Sequence, residues 1–248
     1  MLNRLSYAAA IVGVLGLFNV LPLAMADTNP KAAKNAKAPA PMQKLPKYNA
    51  VQLSGVGDLY ISQAAEEGVT VEADDSILHL IKVSVDNKTL SLDLKDASQH
   101  TEAKITYHLY VKDLQKVTSN STSTVYMKGP FKTDTLDIIM GGLGEADVEL
   151  VVNQLNIKID GGAKIIAKGI AGVQNINING AGEFDGTKLL GKSGAVSVNG
   201  SGLVKPNISD QLDIKAYEDA IVKYCGQPAL TKDTSGHALL LPLPKEKC

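Results

Sequence analysis

The sequence predicts an all-β protein: a single-stranded parallel β-helix, or β-solenoid, with coils of about 20 residues and a less regular, strand-rich N-terminal half. Three observations carry this. Apolar-x-apolar triplets recur as Leu136-x-Ile138, Ile157-x-Ile159, Ile176-x-Ile178, Val196-x-Val198 and Leu212-x-Ile214, in slightly uneven steps near that length. A glycine cluster follows each of the first four, and 14 of the 22 glycines lie between 141 and 202. No stretch carries a helical apolar stripe, and these spacings are too short for a βαβ crossover. A single strand-turn unit of this kind cannot bury its apolar face alone, but stacked units share one core.

The elements follow in chain order. Met1 to Arg4 is a short basic region, Tyr7 to Leu23 is mostly apolar, and Ala24-Met25-Ala26 is a small-x-small cleavage site. Residues 1–26 therefore read as a secretory signal peptide. An uncleaved anchor is the alternative, opposed by Pro22 and the cleavage site. No other run is long and apolar enough to span a membrane, so the mature chain is expected in the periplasm or outside the cell. Residues 27–47 are rich in Ala, Lys and Pro and have no large apolar residue before Met42. They read as a disordered linker, because nothing in them offsets the entropy of ordering.

From 48 to 113, alternating runs at Val51–Leu53, Leu59–Ile61, Val69–Val71, Ile81–Val85, Leu90–Leu94 and Ile105–Val111 read as strands. Asp86-Asn87-Lys88 reads as a hairpin turn. Ser54-Gly55-Val56-Gly57-Asp58 echoes the later glycine clusters, which suggests a degenerate version of the same coil. In the regular half, Gly141, Gly142, Gly161, Gly162, Gly180, Gly182, Gly200 and Gly202 are the expected corner residues, supplying positive φ or close backbone approach. After three of the triplets come Asp160, Asn179 and Asn199, which are expected to form a polar ladder between coils. The two cysteines, Cys225 and Cys248, can close a loop across the C-terminal tail in an oxidising compartment, two free thiols being the alternative.

The ordered set Ser54-Gly-Val-Gly-Asp58-Leu-x-Ile61, the serial Gly-rich coils, Tyr224-x-Gly226-x-Pro228 and Ser235-Gly236 resembles the auto-transporter adhesin head family, called the GIN domain. The resemblance covers residues 48–241 and leaves 242–248 as a tail. It implies an exported β-helix-like domain of bacterial envelope proteins, and it brings no catalytic residues with it.

The chemistry expected of the chain is sparse. The formal net charge is −1 and the single arginine is Arg4, inside the signal peptide. That disfavours a nucleic-acid partner and removes any Arg clamp for phosphate or carboxylate. Glycoside hydrolysis needs two opposed carboxyl groups. Asp147 with Glu149, and Glu183 with Asp185, alternate along strands and read as solvated strand faces. The nine aromatic residues beyond position 26 show no cluster along the sequence, so no sugar-stacking platform is expected. Gly141-Gly-Leu-Gly-Glu-Ala-Asp147 misses the calcium nonapeptide pattern, because Ala146 stands where the aspartate belongs. His79, His100, His108 and His237 are scattered, so no metal and no cofactor are expected. The reading is an exported, non-enzymatic, adhesin-head-like module that binds an envelope protein or glycan along its long side. The alternatives are a carbohydrate-active enzyme on the same scaffold and a structural envelope spacer.

Overall fold

A computed structural model describes residues 41–248, so the expected signal peptide and the linker up to residue 40 lie outside the described residues. The chain forms a parallel β-solenoid of about seven turns, as the periodicity requires. Five long strands make its regular half: β8 (Thr124–Gly142), β9 (Glu145–Gly161), β10 (Lys164–Gly180), β11 (Glu183–Asn199) and β12 (Leu203–Tyr217). Each pairs in parallel with the next. The C-terminal end is made by β13 (Ile221–Tyr224), β14 (Ala229–Thr234) and β15 (Leu239–Pro242), with β13 and β14 on β12 and β15 on β13.

The N-terminal half is built from the same coil, but its order in space is not its order in sequence. Its strands are β1 (Ala50–Ser54), β2 (Asp58–Gln63), β3 (Gly68–Glu72), β4 (Ile81–Asp86), β5 (Thr89–Leu94), β6 (Thr106–Val111) and β7 (Lys116–Ser119). β1 lies between β5 and β7, and β2 lies between β6 and β8, all in parallel. The first coil is thus sandwiched by the second and third. Two antiparallel strands break the pattern: β4 on β5, and β3 on β6. The β4–β5 link is the expected tight turn, with Asn87 and Lys88 at φ 46° and 61°. The last residues of the expected linker differ from expectation. Gln43 bridges to Val69 through two backbone hydrogen bonds of 3.0 and 3.3 Å, and Leu45 packs on the core.

The register corrects the phase of the repeat. The sequence triplets place Leu136 against Ile157, whereas the structure pairs Leu136 with Leu155 and Ile138 with Ile157. Likewise Val196 faces Ile214 rather than Leu212. Between β9 and β10 the offset is the same from end to end, from Lys164 opposite Glu145 to Gly180 opposite Gly161. The uneven steps of the triplets come from choosing different members of a three-residue apolar run. With the phase corrected, one unbroken inner column reads Leu90–Val51–Val117–Ile138–Ile157–Ile176–Val196–Ile214, all buried. Each such side chain contributes roughly 1.5–3 kcal/mol by leaving water.

Where the chain turns, the coils approach too closely for most side chains. Gly142, Gly161 and Gly180 are register partners with positive φ, and Gly200 continues the corner at φ 117°. A Cβ on Gly161 would lie 2.9 Å from the Gly142 carbonyl oxygen, and one on Gly180 2.8 Å from that of Gly161. Gly182 and Gly202 serve differently: a Cβ there would press on Ile159 and Ile178 from within. Gly141 and Gly162 meet side chains of the neighbouring coil, Asn120 and Leu143.

The β11–β12 ladder shifts register between Asp185 and Leu190 and again between Gly191 and Ser193. Gln174 occupies this place in the core, in the column that holds Leu136, Leu155 and Leu212 elsewhere. It is fully buried and donates from Nε2 to the Leu189 carbonyl at 2.9 Å. Gly191 makes the room: a Cβ there would lie 2.6 Å from Gln174 Nε2, whereas one on Gly194 would meet the Gln174 backbone carbonyl oxygen.

The C-terminal edge is blunted. Lys232 continues the column of Ile214, putting a charge where the next coil would need an apolar residue, and β15 ends on Pro242. The Cys225–Cys248 disulfide forms and ties the tail to the last coils.

Two outcomes follow from this packing. Gly169 has φ +109°, and a Cβ there would collide with the Leu150 carbonyl oxygen; Gly129 has φ +76° but faces open space. In urea titrations Gly169→Ala is expected to cost more than about 3 kcal/mol, and Gly129→Ala only about 1 kcal/mol. The disulfide closes a separation of 23 residues, worth roughly 3 kcal/mol by loop entropy. Because coils contact only their neighbours, Cys248→Ser is expected to lower hydrogen-exchange protection in β14 and β15 and leave β9 and β10 unchanged.

Candidate recognition face

Strand alternation sends every second residue outward, and parallel register stacks these residues into columns running across the coils. One column reads His108–Tyr60–Tyr126–Asp147–Ile166–Asp185–Lys205, from β6 through β2 and β8 to β12. None of its members is buried. Aromatic residues distant in sequence therefore meet, contrary to the expectation that none cluster. The Tyr60 and Tyr126 rings stack with centroids 4.7 Å apart and planes 16° apart. Tyr60 also stacks on His108, at 5.3 Å and 22°. The Lys128 ammonium sits 4.9 Å from the Tyr60 ring centroid, a cation–π contact. Partial desolvation, then the Tyr126 and Asp58 neighbours, raises the Tyr60 phenol above its ordinary value.

Lys128 belongs to an irregularity. The β8–β9 register shifts between Met127 and Phe131, so Lys128, Gly129 and Pro130 bulge out beside the aromatic stack. Gln63 holds the strand after the bulge: its Nε2 donates to the Lys132 carbonyl at 2.8 Å, and its Oε1 accepts from the Lys132 N–H at 3.0 Å.

Beyond Tyr126 the face is charged. Lys205 Nζ lies 2.8 Å from Glu183 and 3.0 Å from Asp185. Lys168 pairs with Glu149 at 3.7 Å, and Lys164 with Glu183 at 3.8 Å. Desolvation pushes the Asp185 carboxyl up, but hydrogen bonds from Thr187 and Lys205 outweigh it and hold the group below the ordinary 3.8. Desolvation likewise opposes the Lys205 charge, and its bonds to Glu183 and Asp185 more than reverse this, raising its pKa. Asp147, Glu149, Glu183 and Asp185 all face outward on this side, as the alternation predicts, and three of the four are paired with lysines. Two shallow recesses of about 140 and 310 Å³ lie here and share Asp147 and Ile166 as walls.

The expected ladder lies on another side. Asp160, Asn179 and Asn199 occupy one register column, and Asn179 Nδ2 donates to Asp160 Oδ1 at 3.1 Å. The Lys158 ammonium, 2.6 Å away, and then Asn179 hold the Asp160 carboxyl below its ordinary value. A parallel ladder escaped the sequence reading. Asn156 donates to Asp137 at 2.7 Å, and Asn175 donates to Asn156 at 2.9 Å. The signal was present as Asp or Asn recurring at one constant interval inside the apolar runs, but the wrong phase hid it. Among the described residues, no three His, Cys, Asp or Glu side chains gather as a metal-binding group, and no helix is long and apolar enough to cross a membrane.

Comparison with known proteins agrees with this architecture. Residues 47–228 match the family described as "Putative auto-transporter adhesin, head GIN domain", and the chain belongs to that family. Among solved structures, an adhesin-type protein of Bacteroides fragilis NCTC 9343 superposes with a TM-score of 0.72 at 22% identity, covering 82% of this chain and 95% of that one. A protein of Parabacteroides distasonis ATCC 8503 described as a "putative lipid binding protein" superposes with a TM-score of 0.68 at 15% identity, covering 82% and 96%. A second protein of that organism, described as a "putative adhesin", gives 0.66 at 17%, covering 82% and 95%. These likenesses show the shared solenoid. A search of curated proteins finds no match.

The lowered Asp185 value sets a pH dependence. Its contribution to stability is present above the ordinary aspartate value of 3.8 and is lost as pH falls through the lower folded value. Asp185→Asn is expected to cost roughly 0.5–1 kcal/mol near neutrality, given the partial exposure of the pair. The gap between wild type and variant, read as urea midpoints, should narrow as pH falls below 3.8 and close only below the lowered folded value.

Proposed function

We propose that this member of the adhesin head GIN-domain family is an exported, non-enzymatic recognition module, which holds a partner from the cell envelope on the outward face of β2, β6 and β8–β12. One observation carries this reading: a solvent-accessible aromatic stack, Tyr60 with Tyr126 at 4.7 Å, continued by a column of charged and aliphatic side chains across consecutive coils. Exposed aromatic rings bordered by polar groups are the usual anchors of recognition surfaces. The Cys225–Cys248 bridge fits an oxidising compartment outside the cytoplasm.

The electrostatics favour binding over hydrolysis. A glycosidase pair needs one carboxyl held protonated near neutrality by an upward shift. Asp185 on this face is held below the ordinary aspartate value by Thr187 and Lys205, the opposite of what a general acid there would need. The backbone frame is rigidly stacked, so a partner meets pre-formed columns and little ordering entropy opposes binding.

The test is binding of labelled protein to isolated envelopes of the cells that produce it. Saturable binding is expected, weakened at least about tenfold, equivalent to 1.4 kcal/mol, by the double substitution Tyr60→Leu, Tyr126→Leu. Asn156→Ala with Asn175→Ala, on the other side, is expected to leave it unchanged. Absence of binding, or release of reducing sugar from envelope polysaccharide that Asp185→Asn abolishes, would contradict the proposal.

A further inference from the structure

The aromatic stack has an inner and an outer end. Tyr60 is covered on both faces, by His108 and by Tyr126. Tyr126 is covered by Tyr60 on one side only. On the other, the column continues with Asp147, which offers no ring, and Tyr126 becomes a wall of the smaller recess. Ala146, whose side chain points inward to the core, lines the recess between the outward Glu145 and Asp147. Its far wall is Ile166, 42% exposed, an aliphatic side chain left in water on a charged face. Glu145, Asp147 and Lys164 surround the opening. The larger recess then carries on past Ile166 to Lys168, Asp185, Thr187 and Lys188.

This combination specifies a ligand chemistry. One aromatic face opposite one aliphatic side chain suits a flat ring with C–H groups on its faces. The rim alternates carboxylates, which accept hydrogen bonds, with ammonium groups, which donate them. The ligand that uses both is a polyol. Because Glu145, Asp147 and Asp185 interleave with Lys164, Lys168 and Lys188, neither a polyanion nor a polycation finds a complementary field. The recesses also follow one another across the coils, whose spacing of about 4.8 Å is close to the length of one hexose residue, so successive residues of a chain can meet successive coils.

We propose that the recess between Tyr126 and Ile166 seats one residue of a neutral saccharide chain, its pyranose face on the open Tyr126 ring and its hydroxyls on Asp147, Glu145 and Lys164, with the following residues lying toward Thr187. This rests on the recognition reading above and names its ligand class. Lys128, over the Tyr60 ring, leaves the recess open, since it does not line it.

The experiment is calorimetric and NMR titration of the disulfide-intact protein with cellohexaose, chitohexaose and mannohexaose, and with a hexauronate as the charged control. At least one neutral hexasaccharide is expected to bind saturably. Tyr126→Leu, which keeps bulk but removes the aromatic face, is expected to weaken binding at least about tenfold, as is Asp147→Ala. Asn175→Ala is expected to leave it unchanged, and the hexauronate to bind at least about tenfold more weakly. Folding of each variant is checked by its urea midpoint and by a retained Asn179 side-chain resonance. The proposal is overturned if no neutral hexasaccharide binds, if Tyr126→Leu binds as tightly as wild type, or if the hexauronate is preferred. Envelope binding measured in parallel separates the two claims. Tyr126-dependent envelope binding without saccharide binding removes this ligand class and leaves the recognition module standing. Tyr126-dependent saccharide binding without envelope binding keeps the seat and removes the envelope role.

Discussion

Each coil must bring its corner backbone into contact with the carbonyl oxygens of the coil before it, and most of the molecule follows from that demand. At Gly142, Gly161, Gly180 and Gly200 a single added carbon would lie within 3.2 Å of a neighbouring carbonyl oxygen. The same crowding selects the buried column that begins after each corner, Ser123, Gly144, Ala163, Gly182, Gly202 and Ala220, where only small residues fit. Because the corners admit the close spacing that the hydrogen-bonded ladders impose, the coils can stack in parallel, with register shifts confined to a few places. Inner columns then close into a dry core, and outer columns become continuous stripes. Parallel strands are normally buried on both faces. Here one face is solvated, and the hydrogen-bonded Asp and Asn ladders, the salt bridges and the stacked rings serve as its cover.

The class of fold and its pitch are legible in the sequence because the inner columns demand apolar residues at a constant interval and the corners demand glycine. The phase is less legible. A run such as Leu136-Asp-Ile-Ile-Met140 contains more than one apolar-x-apolar triplet, and only pairing decides which members face each other. That ambiguity concealed the Asp137–Asn156–Asn175 ladder while leaving Asp160–Asn179 visible. The spatial order of the N-terminal coils is not legible either. Nothing local in Ala50–Ser54 says that it will lie between β5 and β7, because each of the three strands offers the same alternating apolar face. The choice is made by the ends: the hairpin of β4 on β5 and the antiparallel β3 on β6 occupy edges that would otherwise stay open.

The recognition face was hidden for the same reason. Tyr60, His108 and Tyr126 lie far apart along the chain, and only the swapped order of the first coils makes Tyr60 the middle ring. In a strictly sequential solenoid β2 would not lie between β6 and β8. The structural device that closes the N-terminal end therefore also assembles the aromatic stack. Stacked ring pairs add about 0.5–1.5 kcal/mol each beyond their buried area, so the stack contributes to the stability of this less regular half as well as to its surface.

The stack ends where the repeat length changes. Met127 pairs with Val148, yet Phe131 already pairs with Leu150, so β8 spends more chain than β9 over the same stretch of ladder. The surplus is expelled at Lys128–Pro130, shortly after Tyr126. The column itself continues in regular register through Tyr126, Asp147 and Ile166. The bulge carries Lys128 back over Tyr60, while the next two outward positions are filled by the short Asp147 and the aliphatic Ile166. The recess thus arises from the short Asp147 standing between Tyr126 and Ile166, on a stretch of ladder whose own register is regular. In a solenoid departures such as the Lys128–Pro130 bulge are tolerated at corners, where they disturb only neighbouring coils, and they can reshape the outer face while the core columns remain in register.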